Sequence, residues 1–277
     1  MSSLYRVMFP KGYDMLIIAV GVLCIVGYIY TTQRPVQENF QTSSGASGIH
    51  IFYHIYCNAT TKNIVRDQTM KILFSGTYDR VNTIQCFLAG IPEHMGVVRD
   101  YLSHMGPKYT IVAEGPNDTT YERFTLEKMH GIVQPTDKIL YIHSKGTSHT
   151  SEEALDNIFW WRTWMEYNLL FKSAECIVLL DTYDIVGTGV PNGGGGVRCP
   201  RDKNLKPLPI HFAGNFWWST GQHFLSLPKK IDDGYCDPES YIFMNNPKYM
   251  ALDADKAAKN TDYYNTHMYP IVFLGGR

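Results

Sequence analysis

The heptad His143-Ser144-Lys145-Gly146-Thr147-Ser148-His149 gathers two imidazoles, one ammonium, three hydroxyls and a glycine. A lysine offers phosphate a compact point charge. Hydroxyls, with backbone N–H groups exposed around a glycine, can complete an anion cradle. His143 can donate to phosphate or ligate a metal. The plainer alternative is a polar surface loop that happens to contain histidine. Asp181-Thr182-Tyr183-Asp184 sets two carboxylates three apart. Such a pair can hold a divalent cation or sugar hydroxyls, or merely cap neighbouring elements.

A third group is His211-Phe212-Ala213-Gly214-Asn215-Phe216-Trp217-Trp218. Gly214 permits a ligand to approach closely. Asn215 can both donate and accept. Trp217 and Trp218 alternate if the segment is a strand, so one ring is expected in the core and the other as a sugar platform. Downstream, Asp237 and Glu239 open a helix with Pro238 between them. Either carboxylate can act as a general base, or cap the helix.

These residues need a scaffold. Residues 49–57 (IHIFYHIYC) are rich in β-branched and aromatic side chains and predict a strand. Further strands are expected at 82–89, 109–113, 138–143 and 210–219, and helices at 63–74, 97–105, 121–132, 151–173 and 221–227. Strands alternating with helices imply an α/β fold with a mostly parallel sheet covered on both faces. Ligands then bind beyond the carboxyl ends of the strands. The segments ending at His143, at Asp181 and at Trp218 are taken as such ends. The apolar run 176–180, which leads into Asp181, is what makes the second of these a strand end. The aromatics of 151–173 nearly encircle the helix axis, so burial is expected, with Arg162 and Glu166 as an i,i+4 pair. Gly193 to Gly196 reads as a loop.

Composition narrows the function. Hydrophobic residues are 44% and charged residues only 18%, which permits a sizeable core and argues against a disordered chain. Lys and Arg number 25 against 26 Asp and Glu, so the basic excess of a nucleic-acid binder is missing. Residues 15–32 form an uncharged run through Tyr30, about 27 Å of helix at roughly 1.5 Å per residue, and are expected to span a thin bilayer. A cleaved signal peptide is the alternative, but Tyr28, Tyr30, Thr31 and Thr32 make a poor cleavage site. Arg6 and Lys11 precede the span and Arg34 follows it, which orients the N-terminus to the cytoplasm.

The expected organisation is therefore a tail (1–14), an anchor (15–32), a flexible stem (33–48) and one domain (49–277) in a lumen or outside the cell. The sequons at Asn58 and Asn117 agree with this placement only weakly. Five cysteines lie beyond the anchor, with no zinc-like spacing. A Cys199–Cys236 bridge is compatible with an oxidising lumen, though spacing does not decide it.

The motifs together resemble glycosyltransferases of the GT-A fold. The nearest likeness is to a group in bacteria, algae and large DNA viruses. Its marks are His143-Ser144-Lys145-Gly146, Trp161-Arg162 with Met165-Glu166-Tyr167, the His211 to Trp218 segment, and Pro238-Glu239. A more distant likeness is to rhamnan synthesis protein F. The resemblance covers about residues 49–245 and implies a single-pass type II membrane enzyme. That enzyme would move a sugar from a nucleotide-sugar donor to a glycan or glycoconjugate hydroxyl, with inversion.

It further implies donor contacts by His143, Ser144, Lys145, Gly146, Thr147, Asp181 and Asp184. Acceptor contacts fall to His211, Gly214, Asn215, Trp217 and Trp218. Glu239 is the base, with Asp237 second. GT-A enzymes usually hold Mn²⁺ or Mg²⁺ with Asp-x-Asp at a strand end. Here that strand ends in His143-Ser144-Lys145, so metal dependence stays open, with His143 and Lys145 expected to offset the diphosphate charge. Asp253-Ala254-Asp255 lies far downstream and reads as a solvated face. The competing class is a membrane-anchored carbohydrate-binding protein without turnover. A luminal hydrolase ranks below both, because no Gly-x-Ser-x-Gly elbow is present.

Overall fold

A computed structural model describes residues 48–115, 121–149, 151–190, 209–234 and 236–252. The expected anchor, nearly all of the stem, Asn117, the tetraglycine run, Cys199 and Asp253 to Asp255 lie outside these residues. Among the described residues, no helix is long and apolar enough to cross a membrane.

The sheet has seven strands: β1 (Ile49–Cys57), β2 (Thr83–Gly90), β3 (Tyr109–Gly115), β4 (Lys138–His143), β5 (Ile185–Gly187), β6 (Trp217–Thr220) and β7 (Tyr249–Ala251), in the order β3-β2-β1-β4-β6-β5-β7. β6 runs antiparallel to both β4 and β5, and the other pairings are parallel. This mostly parallel α/β sheet fits a GT-A-like architecture.

Period-two alternation sorts the side chains into two cores. Ile51, Tyr53 and Ile55 of β1, Leu140 and Ile142 of β4, and Trp218 of β6 face one side. There they meet Val65 and Ile72 of α1 (Thr61–Phe74), Val98 and Leu102 of α3 (Pro92–Ser103), and Trp164 and Met165 of α5 (Glu152–Glu166). The short α2 (Thr77–Arg80) leads from α1 towards β2. Phe52, Ile139, Tyr141 and Trp217 face the other side. Leu126 and Met129 of α4 (Arg123–Met129), Phe224 of α7 (Gly221–Ser226) and the turn Tyr241–Phe243 cover them. Trp217 and Trp218 do alternate, but both faces are covered and both rings are fully buried. Neither can serve as the sugar platform expected of one of them.

Two expected elements differ. The helix beginning at Ser151, whose hydroxyl caps it by accepting from Ala154 N, ends at Glu166. A π-helical turn (Tyr167–Phe171) follows, and then a separate α6 (Ser173–Leu179). The apolar run 176–180 is therefore the end of a helix and not of a strand. In the segment 210–219 only the last residues join the sheet, because Gly214 and Asn215 both adopt positive φ (83° and 57°).

Candidate active site

From β1 the chain winds outward through β2 to β3, then returns to place β4 on the other side of β1. The carboxyl ends of β1 and β4 thus flank the topological switch point, where open α/β sheets form a crevice. Cys57 ends one strand and His143 the other.

The loop after β4 is fixed from several directions. Ser144 N donates to His54 O and Ser144 Oγ accepts from Tyr56 N, both at 2.9 Å. Gln68 Nε2 donates to His143 O at 3.1 Å. Arg162 of α5 donates to Lys145 O at 2.9 Å. Thr147 O accepts from Asn58 Nδ2 at 2.7 Å and from Thr60 Oγ1 at 3.2 Å. Gly146 has φ +108°, and a Cβ there would come within 2.9 Å of Ile158 Cγ2. Ser144 and Thr147 are buried. This is a built edge and not a casual polar loop. The amide nitrogen of the Asn58 sequon, the atom a glycan would occupy, is committed to holding it.

Glu122, just before α4, is the hub of the crevice and had no expected role. Its Oε2 accepts from Asn215 Nδ2 and, at 3.2 Å, from Tyr141 OH. Its Oε1 lies 3.6 Å from His143 Nδ1. Asn215 Oδ1 accepts from Trp217 Nε1 at 2.9 Å, which fixes the amide's orientation. Burial pushes the Glu122 carboxyl above the ordinary carboxylate range, against the pull of His54, Lys145 and its two donors. His143 donates from Nε2 to Gly214 O at 2.9 Å. Burial, with Lys145 nearby, depresses its imidazole to about 3. Both ring nitrogens face protein, so His143 offers neither a phosphate donor nor a metal ligand. This corrects its expected direct role against the diphosphate.

Lys145 projects from this edge with Nζ 4.1 Å from the Trp161 ring centroid. Burial lowers its pKa, while Glu239 and Glu122 attract its charge. Glu239 belongs to α8 (Asp237–Ser240). Burial raises its pKa, Lys145 and His211 pull it down, and Glu122 pushes it up. The lysine thus stands in the field of two carboxyl groups brought from different parts of the chain. His211 is buried and donates from Nδ1 to Pro209 O at 2.8 Å.

Behind the loop lies an ion network. Lys71 Nζ contacts Glu166 Oε2 at 2.6 Å and Asp67 Oδ2 at 2.8 Å. Arg162 contacts Asp67 at 3.1 Å and Glu166 at 3.4 Å, the latter being the expected i,i+4 pair. The Glu166 side chain is fully buried, so these charges compensate each other in place of water.

The structure thus gathers His143, Ser144, Lys145, Gly146, Thr147, His211, Gly214, Asn215 and Glu239 around one edge. Others are not there. Asp181 pairs with Lys138, the first residue of β4, and Asp184 accepts from Lys248 N at 2.7 Å beside the start of β5. Both therefore lie at the amino edge of the sheet. His143 is five residues along β4 from Lys138, or about 16 Å at roughly 3.3 Å per residue. Neither aspartate reaches the crevice. Asp237 Oδ2 accepts from Gly234 N at 2.7 Å, a turn-closing role. A Cβ on Gly214 would lie 2.5 Å from Met165 Sδ, so the close approach this glycine permits is that of α5 and not of a ligand.

Glu122 carries the same cue that singled out Glu239, an acid at a helix start, but no spacing motif drew attention to it. Among the described residues no group of three or more His, Cys, Asp or Glu side chains is arranged to hold a metal ion. Those residues do not fit the usual metal, and no step below passes through one.

No known protein family and no curated protein matches the chain. Solved structures do. A 4-diphosphocytidyl-2C-methyl-D-erythritol synthase from Anaerococcus prevotii DSM 20548 is 13% identical with a TM-score of 0.39, over 74% of this chain and 89% of that one. The mannosyltransferase PcManGT from Pyrobaculum calidifontis, in complex with GDP-Man and Mn²⁺, is 10% identical with a TM-score of 0.40, over 86% and 64%. The glycosyltransferase GlyE of Streptococcus pneumoniae TIGR4 is 15% identical with a TM-score of 0.35, over 76% and 46%. This chain spans less than two thirds of the latter two. Likenesses at this level do not bear on activity.

Proposed function

We propose that the chain is a glycosyltransferase that moves a sugar from a nucleotide-sugar donor to a hydroxyl of a glycan or glycoconjugate. The observation that carries this reading is the convergence of Lys145, Glu122 and Glu239 at the β1/β4 switch point. Breaking the bond between sugar and diphosphate leaves negative charge on the departing phosphate. A lysine held in a partly desolvated crevice stabilises that charge more than it would in water. The acceptor hydroxyl must lose a proton as it attacks, and Glu239 is the carboxylate assigned to take it. A single base acting opposite the leaving group gives inversion. Asp237, bound to Gly234 N, is ranked below it.

The reading extends to a type II membrane enzyme anchored by residues 15–32, with its catalytic domain in a lumen or outside the cell. The carbohydrate-binding alternative is weakened by the burial of Trp217 and Trp218. The test is turnover. The chain is incubated with UDP-, GDP- and dTDP-sugars, with and without Mn²⁺, and release of nucleoside diphosphate is followed. Release that is lost in Glu239→Gln, with an inverted product, is the expected result. A product retaining the donor's anomeric configuration excludes the single-base scheme. Loss of turnover in Asp253→Ala but not in Lys145→Ala would move the donor site elsewhere.

A further inference from the structure

The hydrogen bonds around Glu122 leave one place for a proton. A carbonyl oxygen can only accept, so the Nε2 of His143, 2.9 Å from Gly214 O, must carry hydrogen. In a neutral ring Nδ1 is then a bare acceptor. It faces Glu122 Oε1 at 3.6 Å. Glu122 Oε2 is already taken by Asn215 and Tyr141, both donating. Two bare acceptors would otherwise confront each other inside the protein. A proton on Oε1, directed at Nδ1, removes the conflict.

The surrounding charges give that proton a consequence. Lys145 faces Glu122 and Glu239. With both carboxyls ionised, two negative charges oppose one ammonium where an anionic ligand must sit. His54 of β1 is buried, 2.8 Å from Thr125 Oγ1, and depressed to about 4, so it adds no charge at neutral pH. Arg162 of α5 is compensated by Asp67 and Glu166. Arg123 of α4 donates to Gly234 O. Tyr141 of β4 and Asn215 are neutral donors, and His211 faces Glu239 instead.

We propose that Glu122 and His143 hold a single proton between them, and that this proton allows the crevice at Lys145 to accept a diphosphate-bearing ligand. Glu122 is thereby a positioning residue of the site. The ligand half of this inference rests on the nucleotide-sugar reading above. The proton half does not.

Two measurements on the full chain test it. The first is ¹⁵N-imidazole NMR of His143 against pH. The Nδ1 signal of the Nε2–H tautomer is expected to step as Glu122 loses its proton, above the ordinary carboxylate range. Glu122→Gln, whose amide supplies a permanent donor, is expected to abolish the step. The second is binding of UDP, GDP and dTDP across the same pH range. Wild-type affinity is expected to fall roughly tenfold per pH unit above the step, and Glu122→Gln to show a flat profile.

A His143 signal that does not move in the wild type overturns the shared proton, whether or not the variant folds. Nucleotide affinity with the same pH profile in both proteins overturns the link to binding while leaving the nucleotide site intact. Affinity that requires Mn²⁺ and strengthens as pH rises also overturns that link. Failure of every nucleotide to bind, with the imidazole step present, overturns the ligand half and the nucleotide reading together, and the proton half stands.

Discussion

His143 Nε2 and the Gly214 carbonyl oxygen lie 2.9 Å apart, and this bond ties the carboxyl edge of β4 to the turn carrying Asn215. Asn215 and Trp217 complete a chain of contacts that returns to Glu122. The histidine of the His-Ser-Lys-Gly motif is thus a structural clasp, and the lysine two residues later is left to meet the ligand.

Glu239→Gln is expected to reduce transfer by about 10²- to 10⁴-fold, the usual contribution of a general base, while nucleotide affinity persists. A base works only when deprotonated. Because burial raises the Glu239 pKa, the acid limb of the rate profile should lie above the ordinary carboxylate range. Asp237→Asn should leave the rate largely intact. A profile flat through the acid range would remove Glu239 from this role.

Gly214→Ala is expected to destabilise the fold by about 2–4 kcal/mol, combining overpacking with a left-handed backbone. The new methyl meets Met165 Sδ, at a residue with φ +83°. Urea unfolding of Gly214→Ala and of the double variant with Met165→Ala separates the two effects. The double variant should recover the steric part only. No recovery at all would mean that the contact with α5 is not the constraint.

Lys71→Met leaves Glu166 with one cationic partner instead of two, at a side chain with no exposure. Removing one partner of a buried pair costs about 3–5 kcal/mol. The expected readout is a lower denaturation midpoint with an unchanged urea slope. A loss below about 1 kcal/mol, the range of exposed pairs, would show that Glu166 is rehydrated.

Acid should weaken the fold through His54. Its imidazole falls from an ordinary 6.5 to about 4 because burial disfavours the charged ring. Between those values the unfolded chain binds the extra proton, so stability declines as pH drops from about 6.5 towards 4. His54→Gln keeps a polar side chain opposite Thr125 and should flatten that part of the stability–pH curve. An unchanged slope would assign the effect elsewhere.

Much of the scaffold was legible because β1 and β4 are runs of β-branched and aromatic residues, whose bounds agree with the sequence reading. The misplacement of Asp181 and Asp184 has a clear cause. A short apolar run such as 176–180 has the same composition in a buried helix as in a buried strand, and it ends α6. The segment 210–219 misled differently. Phe212 and Phe216 are buried although the residues around Gly214 and Asn215 form a turn. A Gly-Asn pair is itself a turn cue.

The site was half legible. Lys145 and Glu239 were marked by neighbours in the chain, a polar heptad and a proline at a helix start. Glu122 was not, because its partners Tyr141, His143 and Asn215 come from distant segments and meet only through the sheet. The i,i+4 pair Arg162–Glu166 was visible, whereas Asp67 and Lys71 join it only once α1 packs beside α5.

Equilibrium binding of a panel of UDP-, GDP- and dTDP-sugars to the wild type and to Lys145→Ala tests the central claim most directly. The Lys145 side chain makes no described hydrogen bond that holds the fold; its carbonyl does, to Arg162. The variant should therefore fold. One donor class is expected to bind the wild type and to bind the variant more weakly by about 2 kcal/mol, roughly thirtyfold, the worth of a charged hydrogen bond. Equal affinity in the two proteins, or no binding of any donor to the folded wild type, would contradict the placement of a nucleotide-sugar site at the β1/β4 crevice.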